Sequence, residues 1–171
     1  MKKIIVIGCP GSGKSTFSRE LHNKTDIPLF HLDMMYWNAD KTTVEKQVFL
    51  ERLSSVMEND EWIIDGNYGS TMERRMEKCD TVVFLDYSFD VCLEGVKARR
   101  GKTRTDIPWI ENEDDAEFLE FIKNFNVQQR PNICALIDKY RKEKRIVVFK
   151  SRKDADEFLA RMAQYYDKSD I

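Results

Sequence analysis

The residues best able to do chemistry lie near the start of the chain, where residues 8–15 read GCPGSGKS. This segment matches the pattern G-x-x-x-x-G-K-[ST] at every fixed position. In such a loop the glycines let backbone N–H groups turn inward around phosphate oxygens, the lysine reaches the terminal phosphates and the last hydroxyl ligates Mg²⁺. We therefore predict a site for a nucleoside triphosphate. Its predicted binding residues are Gly8, Pro10, Gly11, Ser12, Gly13, Lys14, Ser15 and Thr16.

The segments on either side of this loop have the order that phosphate binding requires. Residues 3–7 form an apolar, β-branched run, which is typical of a strand buried on both faces. Residues 15–21 continue with a helical pattern. A strand, a loop and a helix in this order favour a true phosphate loop over a chance match, and we predict ATP and Mg²⁺ as its cofactors.

Three aspartates follow apolar runs further along the chain: Asp33, Asp65 and Asp86. Ligands of open α/β sheets bind beyond the carboxyl ends of the strands, where carboxylates can hold Mg²⁺ or take a proton from an acceptor. We predict that Asp65 joins Ser15 at the metal and that Asp33 orients or deprotonates the acceptor. Asp86 is more typical of a strand end and helix cap. His31 is expected to be a core or wall residue.

Arginines are the second requirement of phosphoryl transfer, because guanidinium groups stabilise the charge on the transferred oxygens. Several lie in or near a polar segment of about residues 100–116, which has no apolar periodicity. A long segment of this kind in a compact domain is typically functional, so we predict a lid whose acidic residues 111–115 pair with its arginines in an open state. A solvated basic loop is the alternative for each arginine taken singly. The predicted catalytic residues are Lys14, Asp33, Arg99, Arg104 and Arg130.

Short apolar runs alternate with amphipathic helical segments along the whole chain. This alternation predicts parallel strands with right-handed crossovers and helices on both faces, a three-layer α/β fold. The length of 171 residues and the lack of a linker indicate a single domain over residues 1–171. The strands are predicted at residues 3–7, 27–32, 61–65, 81–86 and 145–149, and the helices at about residues 15–21, 43–58, 72–76, 89–100, 117–142 with a break before Pro131, and 153–166.

The charge, the apolar runs and the cysteine spacing limit the kinds of molecule that the chain is expected to bind. The net charge is −2 with both signs interspersed, so direct DNA binding is not expected. No apolar run approaches the length of a membrane span, and no signal sequence opens the chain, which predicts a cytoplasmic protein that does not bind membranes. The four cysteines lack C-x-x-C spacing and favour neither zinc nor a disulfide framework. ATP and a small-molecule acceptor are the expected partners of a monomer or homodimer.

Several motifs together resemble the adenylate kinase-like group of P-loop kinases and, more closely, the bacterial DNA topology modulation proteins. The resemblance spans nearly the whole chain. It implies a five-stranded parallel sheet in the order 2-3-1-4-5, with a helical region that binds the acceptor and a lid. The motifs are His31-Leu32-Asp33 with Tyr36-Trp37, residues 62–68 (WIIDGNY), residues 101–104 (GKTR), Asn124-Phe125 with Arg130-Pro131, and residues 150–152 (KSR).

The sequence departs from adenylate kinase at two positions that decide the acceptor. That family places an arginine three residues after each of two aspartates, and both arginines grip the acceptor's phosphate; here the positions hold Tyr36 and Tyr68. Each charge-assisted hydrogen bond is worth roughly 1.5–3 kcal/mol, so their loss disfavours a nucleoside monophosphate. A neutral hydroxyl group as the acceptor, with Asp33 as base, fits better, as in the similar shikimate and gluconate kinases. Adenylate kinase also has an arginine early in its lid helix, and here that position holds Gly95. The resemblance therefore leaves Arg99 as the arginine expected near the adenine.

The sequence therefore predicts an ATP-dependent, Mg²⁺-requiring small-molecule kinase. The alternative is a nucleotide-gated regulatory ATPase whose lid movement is sensed by a protein or DNA partner. Neither a helix-turn-helix nor a zinc module is evident, so under the alternative an effect on DNA topology would be indirect or mediated by a partner.

Overall fold

The centre of the molecule is an all-parallel sheet of five strands in the order β2-β3-β1-β4-β5, as seen in a computed structural model that describes residues 1–110 and 116–166. This confirms the predicted fold class and strand order. The strands are β1 (Lys3–Gly8), β2 (Leu29–His31), β3 (Trp62–Asp65), β4 (Thr81–Leu85) and β5 (Arg145–Phe149).

Helices cover both faces of this sheet, and they correct the sequence-based prediction in one place. The break predicted before Pro131 is confirmed: residues 117–142 form two helices, because Pro131 cannot donate a backbone hydrogen bond and occupies the first turn of a new helix. A helical turn that was not predicted follows β2 and carries Asp33. The helices are α1 (Lys14–Thr25), α2 (Leu32–Tyr36), α3 (Lys46–Glu58), α4 (Gly69–Lys78), α5 (Phe89–Ala98), α6 (Ala116–Gln128), α7 (Arg130–Tyr140) and α8 (Arg152–Tyr166).

The core lies on the two faces of the central strands. Ile4, Ile5, Val6 and Ile7 of β1 are completely buried, because helices cover both sides of the strand. A fully buried aliphatic side chain contributes about 1.5–3 kcal/mol, so this run fixes β1 at the centre of the sheet. The phosphate loop, residues 8–15, therefore starts from the most rigid strand of the domain. Within the described ranges, no helix combines the length and the apolar composition of a membrane span.

The phosphate loop packs against α5 through two glycines that leave no room for a side chain. A Cβ atom added to Gly95 would lie 2.0 Å from the carbonyl oxygen of Gly11, and one added to Gly11 would lie 2.0 Å from that of Cys92. Gly11 also has φ +81°, a backbone conformation that favours glycine. This close approach gives a physical reason for the absence of an arginine at position 95.

We expect Gly95→Ala to lower the free energy of unfolding by about 1–3 kcal/mol, because the new methyl group forces α5 away from the phosphate loop. Gly69→Ala is the matched control, since a Cβ atom there meets nothing within 4 Å. Urea unfolding of both variants is the measurement. Equal stability of the two would contradict the close-packing argument.

Candidate active site

A cavity of about 900 Å³ opens where the phosphate loop, the carboxyl ends of the central strands and residues 96–110 meet. It brings together most of the predicted site residues, although they come from segments far apart in the chain. Gly8 and Ser12 are buried within the loop and Thr16 is exposed on α1, and none of the three lines the cavity. The predicted residues that line the cavity are Pro10, Gly11, Gly13, Lys14, Ser15, Asp33, Asp65, Arg99 and Arg104.

The phosphate loop leads directly into α1, whose first turn carries no side-chain cap. Gly13 is the N-cap residue with φ 91°, and no side chain accepts from the free N–H groups of this turn. Such N–H groups, together with the helix dipole, attract anions. Lys14 folds back so that its Nζ donates to the carbonyl oxygens of Gly8 at 3.0 Å and Cys9 at 3.2 Å. Burial lowers the pKa of Lys14, while the charges of Asp65 and Asp33 raise it.

Asp65 ends β3 and is paired with the histidine opposite it on the neighbouring strand. The register of β2 against β3 places His31 beside Asp65, and Nδ1 of His31 lies 2.8 Å from Oδ2 of Asp65. Because an ionised carboxylate only accepts hydrogen bonds, this geometry assigns the hydrogen to Nδ1. His31 thus orients one oxygen of a 4% exposed carboxylate, a role beyond the wall residue that we predicted. The other oxygen has no protein partner among the described hydrogen bonds.

Asp33 lies in the first turn of α2 and accepts a hydrogen bond from a tyrosine after β3. The hydroxyl of Tyr68 donates to Oδ1 of Asp33 at 2.7 Å. Burial raises the pKa of Asp33, partly offset by the Tyr68 hydrogen bond and the charge of Lys14. A desolvated carboxylate of this kind is a stronger proton acceptor than one in water.

Asp106 is a site residue that sequence reasoning missed. Its carboxylate is 3% exposed, accepts from Nε of Arg104 at 3.0 Å and from a second nitrogen of that guanidinium, and also hydrogen-bonds the Ser15 hydroxyl. Burial alone would raise the pKa of Asp106, but the bonds from Arg104 and Ser15 hold it well below its usual range. The polar segment around it shows no periodicity, so only the Arg-x-Asp spacing could have signalled the pair.

Two further residues that the sequence did not single out hold the segment after β3 in place. Arg75 of α4 is completely buried and donates to the carbonyl oxygens of Gly66 at 2.9 Å, Tyr68 at 3.2 Å, and Asn67. The Asn67 carboxamide donates to the carbonyl of Gly8 at 2.8 Å and accepts from the N–H of Gly8 at 3.1 Å. In the sequence Arg75 resembles an ordinary surface arginine of a polar helix, so tertiary structure alone gives it this role.

Arg130, which we predicted to be catalytic, is not among the residues that line the cavity. Its Nε and Nη2 donate to the two oxygens of Asp86, both at 2.8 Å, and Lys150 binds the same carboxylate. Asp86 was expected to cap a helix, but the N-cap of α5 is Ser88, whose hydroxyl oxygen accepts from Val91 N–H. The Asp86 carboxylate is 6% exposed and therefore needs both cations to offset its desolvation.

The predicted lid is described in part. Arg99, Arg100 and Arg104 line the cavity, and the Arg99 guanidinium lies 5.6 Å from the ring centre of Phe118 on α6. The acidic residues 111–115, which we expected to pair with these arginines, lie outside the described residues. The position of Arg99 beside an adenine stays a prediction.

The two positions that hold phosphate-binding arginines in adenylate kinase are filled by packed aromatic rings. The rings of Tyr36 and Tyr68 lie 5.1 Å apart, and each lies 5.3 Å from the ring of Phe49 on α3. These tyrosines are partly buried against the core, and their side chains supply no positive charge for a phosphate.

A sequence match to the guanine-selecting pattern N-K-x-D occurs at residues 23–26. These residues lie at the far end of α1, where Asp26 caps the helix C-terminus. A helix of 12 residues is about 18 Å long, which separates this tetrapeptide from the phosphate loop. None of the four residues lines the cavity, so the match is no argument for GTP.

Known proteins share this fold and part of this sequence. The family described as AAA domain matches residues 4–120. A shikimate kinase of Rhodococcus jostii (strain RHA1) is 28% identical over 127 residues, which cover 66% of this chain and 72% of that protein. A shikimate kinase from Acinetobacter baumannii in complex with shikimate superposes with a TM-score of 0.62 at 14% identity, over 99% of this chain and 94% of the other. A gluconokinase from Sinorhizobium meliloti 1021 gives a TM-score of 0.56 at 15% identity, over 98% and 94%.

We expect Asn67→Ala to lower the free energy of unfolding by about 1–3 kcal/mol, because it removes the side chain that accepts from the partly buried Gly8 N–H and one of the two donors to the Gly8 carbonyl, the other being Lys14 Nζ. The control is Asn124→Ala, whose carboxamide bonds only Glu120 on the exposed face of α6. Urea denaturation distinguishes the two. A change in the free energy of unfolding below about 0.5 kcal/mol in Asn67→Ala is typical of an ordinary surface substitution. It would refute a stabilising role for the two Asn67–Gly8 hydrogen bonds.

We expect the contribution of the Arg130–Asp86 pair to be lost in acid. Burial raises the pKa of Asp86, but the hydrogen bonds from Arg130 and Lys150 outweigh this effect and leave that pKa below its ordinary value. The pair therefore stabilises the fold above about pH 4. This contribution falls as the pH drops through the lowered pKa. Arg130→Gln should therefore lower the free energy of unfolding by about 1–2 kcal/mol at pH 7, given the partial exposure of Arg130, and by less at pH 3. A pH-independent difference in urea unfolding would rule out this pair as the origin.

Proposed function

Because this chain belongs to the AAA domain family, we propose that it is an ATP-dependent, Mg²⁺-requiring kinase that phosphorylates a hydroxyl group of a small molecule. The observation that carries the proposal is the composition of one cavity. Its walls hold the phosphate loop with Lys14 and, facing the same space, the buried carboxylate of Asp33. A donor site for phosphates and a proton acceptor within one cavity are the two parts that phosphoryl transfer to an alcohol requires.

The donor side fits a nucleotide with its metal. The uncapped first turn of α1 offers N–H groups to phosphate oxygens, and Lys14 supplies a cation beside them. The Ser15 hydroxyl and the Asp65 carboxylate are hard oxygen donors of the kind that Mg²⁺ prefers, and we propose them as its ligands, directly or through water. When bound, the ion would neutralise charge on the phosphates. The hydrogen bond from His31 orients the Asp65 carboxylate for this role.

On the acceptor side, Asp33 would take the proton of the attacking hydroxyl. The acceptor oxygen forms a bond to the terminal phosphorus, the bond to the bridging oxygen of ADP breaks, and the hydroxyl proton passes to the Asp33 carboxylate. We propose that Lys14, Arg99 and Arg104 stabilise the charge on the transferred oxygens. The buried setting of Asp33, which raises its pKa, strengthens it as an acceptor of that proton.

The tyrosines at positions 36 and 68 support a hydroxyl acceptor over a nucleoside monophosphate. Tyr36 and Tyr68 stand where adenylate kinase has arginines that bind the acceptor's phosphate, and their rings pack on each other and on Phe49. One of the structurally similar proteins is a shikimate kinase with shikimate bound, and shikimate is a hydroxylated acceptor. We propose the same reaction type for this chain, with the acceptor left to experiment.

The closer resemblance to the DNA topology modulation proteins rests on the sequence motifs quoted above.

The regulatory ATPase that we weighed as an alternative has no observation in its favour among the described residues. It predicts slow, acceptor-independent hydrolysis of ATP. The proposed kinase predicts release of ADP that an acceptor stimulates.

We expect purified protein to release ADP from Mg·ATP when one member of an acceptor panel is present, and Lys14→Ala to abolish this release without unfolding. The panel contains nucleosides, nucleoside monophosphates, sugars and small hydroxy acids. A coupled assay for ADP is the measurement, with circular dichroism as the check on folding. Turnover that is unchanged by every acceptor would sink the kinase proposal in favour of the regulatory ATPase.

We expect Asp33→Asn to reduce kcat for transfer by about 10²–10⁴-fold, the usual contribution of a general base, while the affinity for ATP changes little. The carboxamide oxygen of asparagine still accepts from Tyr68, so the pocket keeps its shape. Asp90→Asn, an exposed position on α5, is the matched control. If Asp33→Asn transfers phosphate at the wild-type rate, the acceptor assignment is wrong.

A further inference from the structure

We propose that the acceptor is an uncharged alcohol built on a ring, and that its ring packs on an indole corner formed by Trp37 and Trp109. This inference rests on the proposed kinase function and names the class of its acceptor. The ring chemistry is shared by nucleosides and by cyclic carbohydrates or cyclitols.

The indole corner lies next to the carboxylate that would receive the acceptor's hydroxyl. Asp33 is joined to Tyr68 by a hydrogen bond of 2.7 Å, and the ring of Tyr36 lies 5.1 Å from that of Tyr68 and 5.2 Å from that of Trp37. Trp37, Tyr68 and Asp33 all line the cavity. A ring seated on Trp37 therefore places a hydroxyl substituent within reach of Asp33.

The second indole comes from the segment between α5 and α6. The ring centres of Trp37 and Trp109 lie 5.5 Å apart with an interplanar angle of 82°. Trp37 also makes an edge-to-face contact with Tyr36, at 5.2 Å and 89°, whereas Trp37 is the one ring contact given for Trp109 among the described residues. Both residues line the cavity and both are half-buried. Aromatic faces bind planar bases by stacking and bind sugars through their C–H groups.

Two carboxylates near this corner disfavour an anionic acceptor. Asp33 and Asp106 both line the cavity, as does Lys14 on the phosphate-loop side. Arg104 is engaged in a two-pronged contact with Asp106 beside Ser15, which places it on the donor side. Lys41 also lines the cavity, but it is exposed, so water screens its charge. A carboxylate or phosphate on the ring would meet the field of these aspartates.

The fluorescence emission of tryptophan reports ligand binding at the indole corner. The chain has three tryptophans, and Trp62 is completely buried in β3, so ligand-dependent emission comes from Trp37 and Trp109. We would titrate wild-type protein with Mg·ADP present, using four probe sets: uncharged nucleosides, uncharged cyclic sugars with cyclitols, acyclic polyols, and the anionic acceptors shikimate, gluconate and nucleoside monophosphates. The same compounds are then offered with Mg·ATP in the ADP-release assay.

We expect one of the two uncharged ring sets to shift the emission and to be phosphorylated, which also identifies the source of the ring. Trp109→Leu should raise KM for that acceptor by about tenfold or more, with KM for ATP unchanged, because the variant loses the aromatic face on which the ring would stack. Trp109→Phe keeps an aromatic face and should recover most of the loss, whereas an effect on folding alone would move both Michaelis constants and the urea midpoint.

Three results would overturn the proposal: phosphorylation of an acyclic or anionic acceptor in preference to both ring sets, a KM that Trp109→Leu leaves unchanged, or emission that no ring compound alters. In the first two cases the kinase function itself stands. An emission shift by uncharged ring compounds without any transfer would instead support the indole corner and overturn the proposed function.

Discussion

The two hydrogen bonds between the Asn67 carboxamide and the backbone of Gly8 are the contact on which the geometry of the cavity depends. They join the turn after β3 to the first residue of the phosphate loop. Behind this turn, the buried guanidinium of Arg75 binds three successive carbonyl oxygens and stops the turn from relaxing. Tyr68, the last residue of the turn, then extends to Asp33. Donor and acceptor sides are thereby set at a fixed separation, which in-line transfer requires.

The distribution of charge follows from the same arrangement. Three carboxylates face or border the cavity, and each has a specific partner that compensates its desolvation: His31 for Asp65, Tyr68 for Asp33, and Arg104 for Asp106. A buried carboxylate without such a partner would be neutral or strongly destabilising. The partners differ in charge, so the three groups differ in basicity. Asp106 is held as an anion well below its ordinary pKa, whereas the pKa of Asp33 is raised.

Much of the donor site could be predicted from the sequence, because its parts are contiguous. The phosphate loop lies between one strand and one helix, so the pattern of residues 3–21 already places Lys14 and Ser15 at the end of a buried strand. Asp65 could be assigned to the same edge since all parallel strands end there. Asn67 and Arg75 could not, because Asn67 binds backbone groups 59 positions earlier and Arg75 binds carbonyl groups that carry no sequence signal.

The α/β class and the local chemistry of the phosphate loop could be predicted from the chain, since both depend on periodicity and on neighbouring residues. The strand order was predicted from the resemblance to known kinases. The partners of the long polar side chains became known only from the packed fold. Arg130 illustrates the difference: its type and position suit catalysis, yet the end of β4 offers Asp86 at 2.8 Å, and a buried carboxylate binds the nearest guanidinium. Side chains of this length reach several alternative partners, and only the packed fold selects one of them.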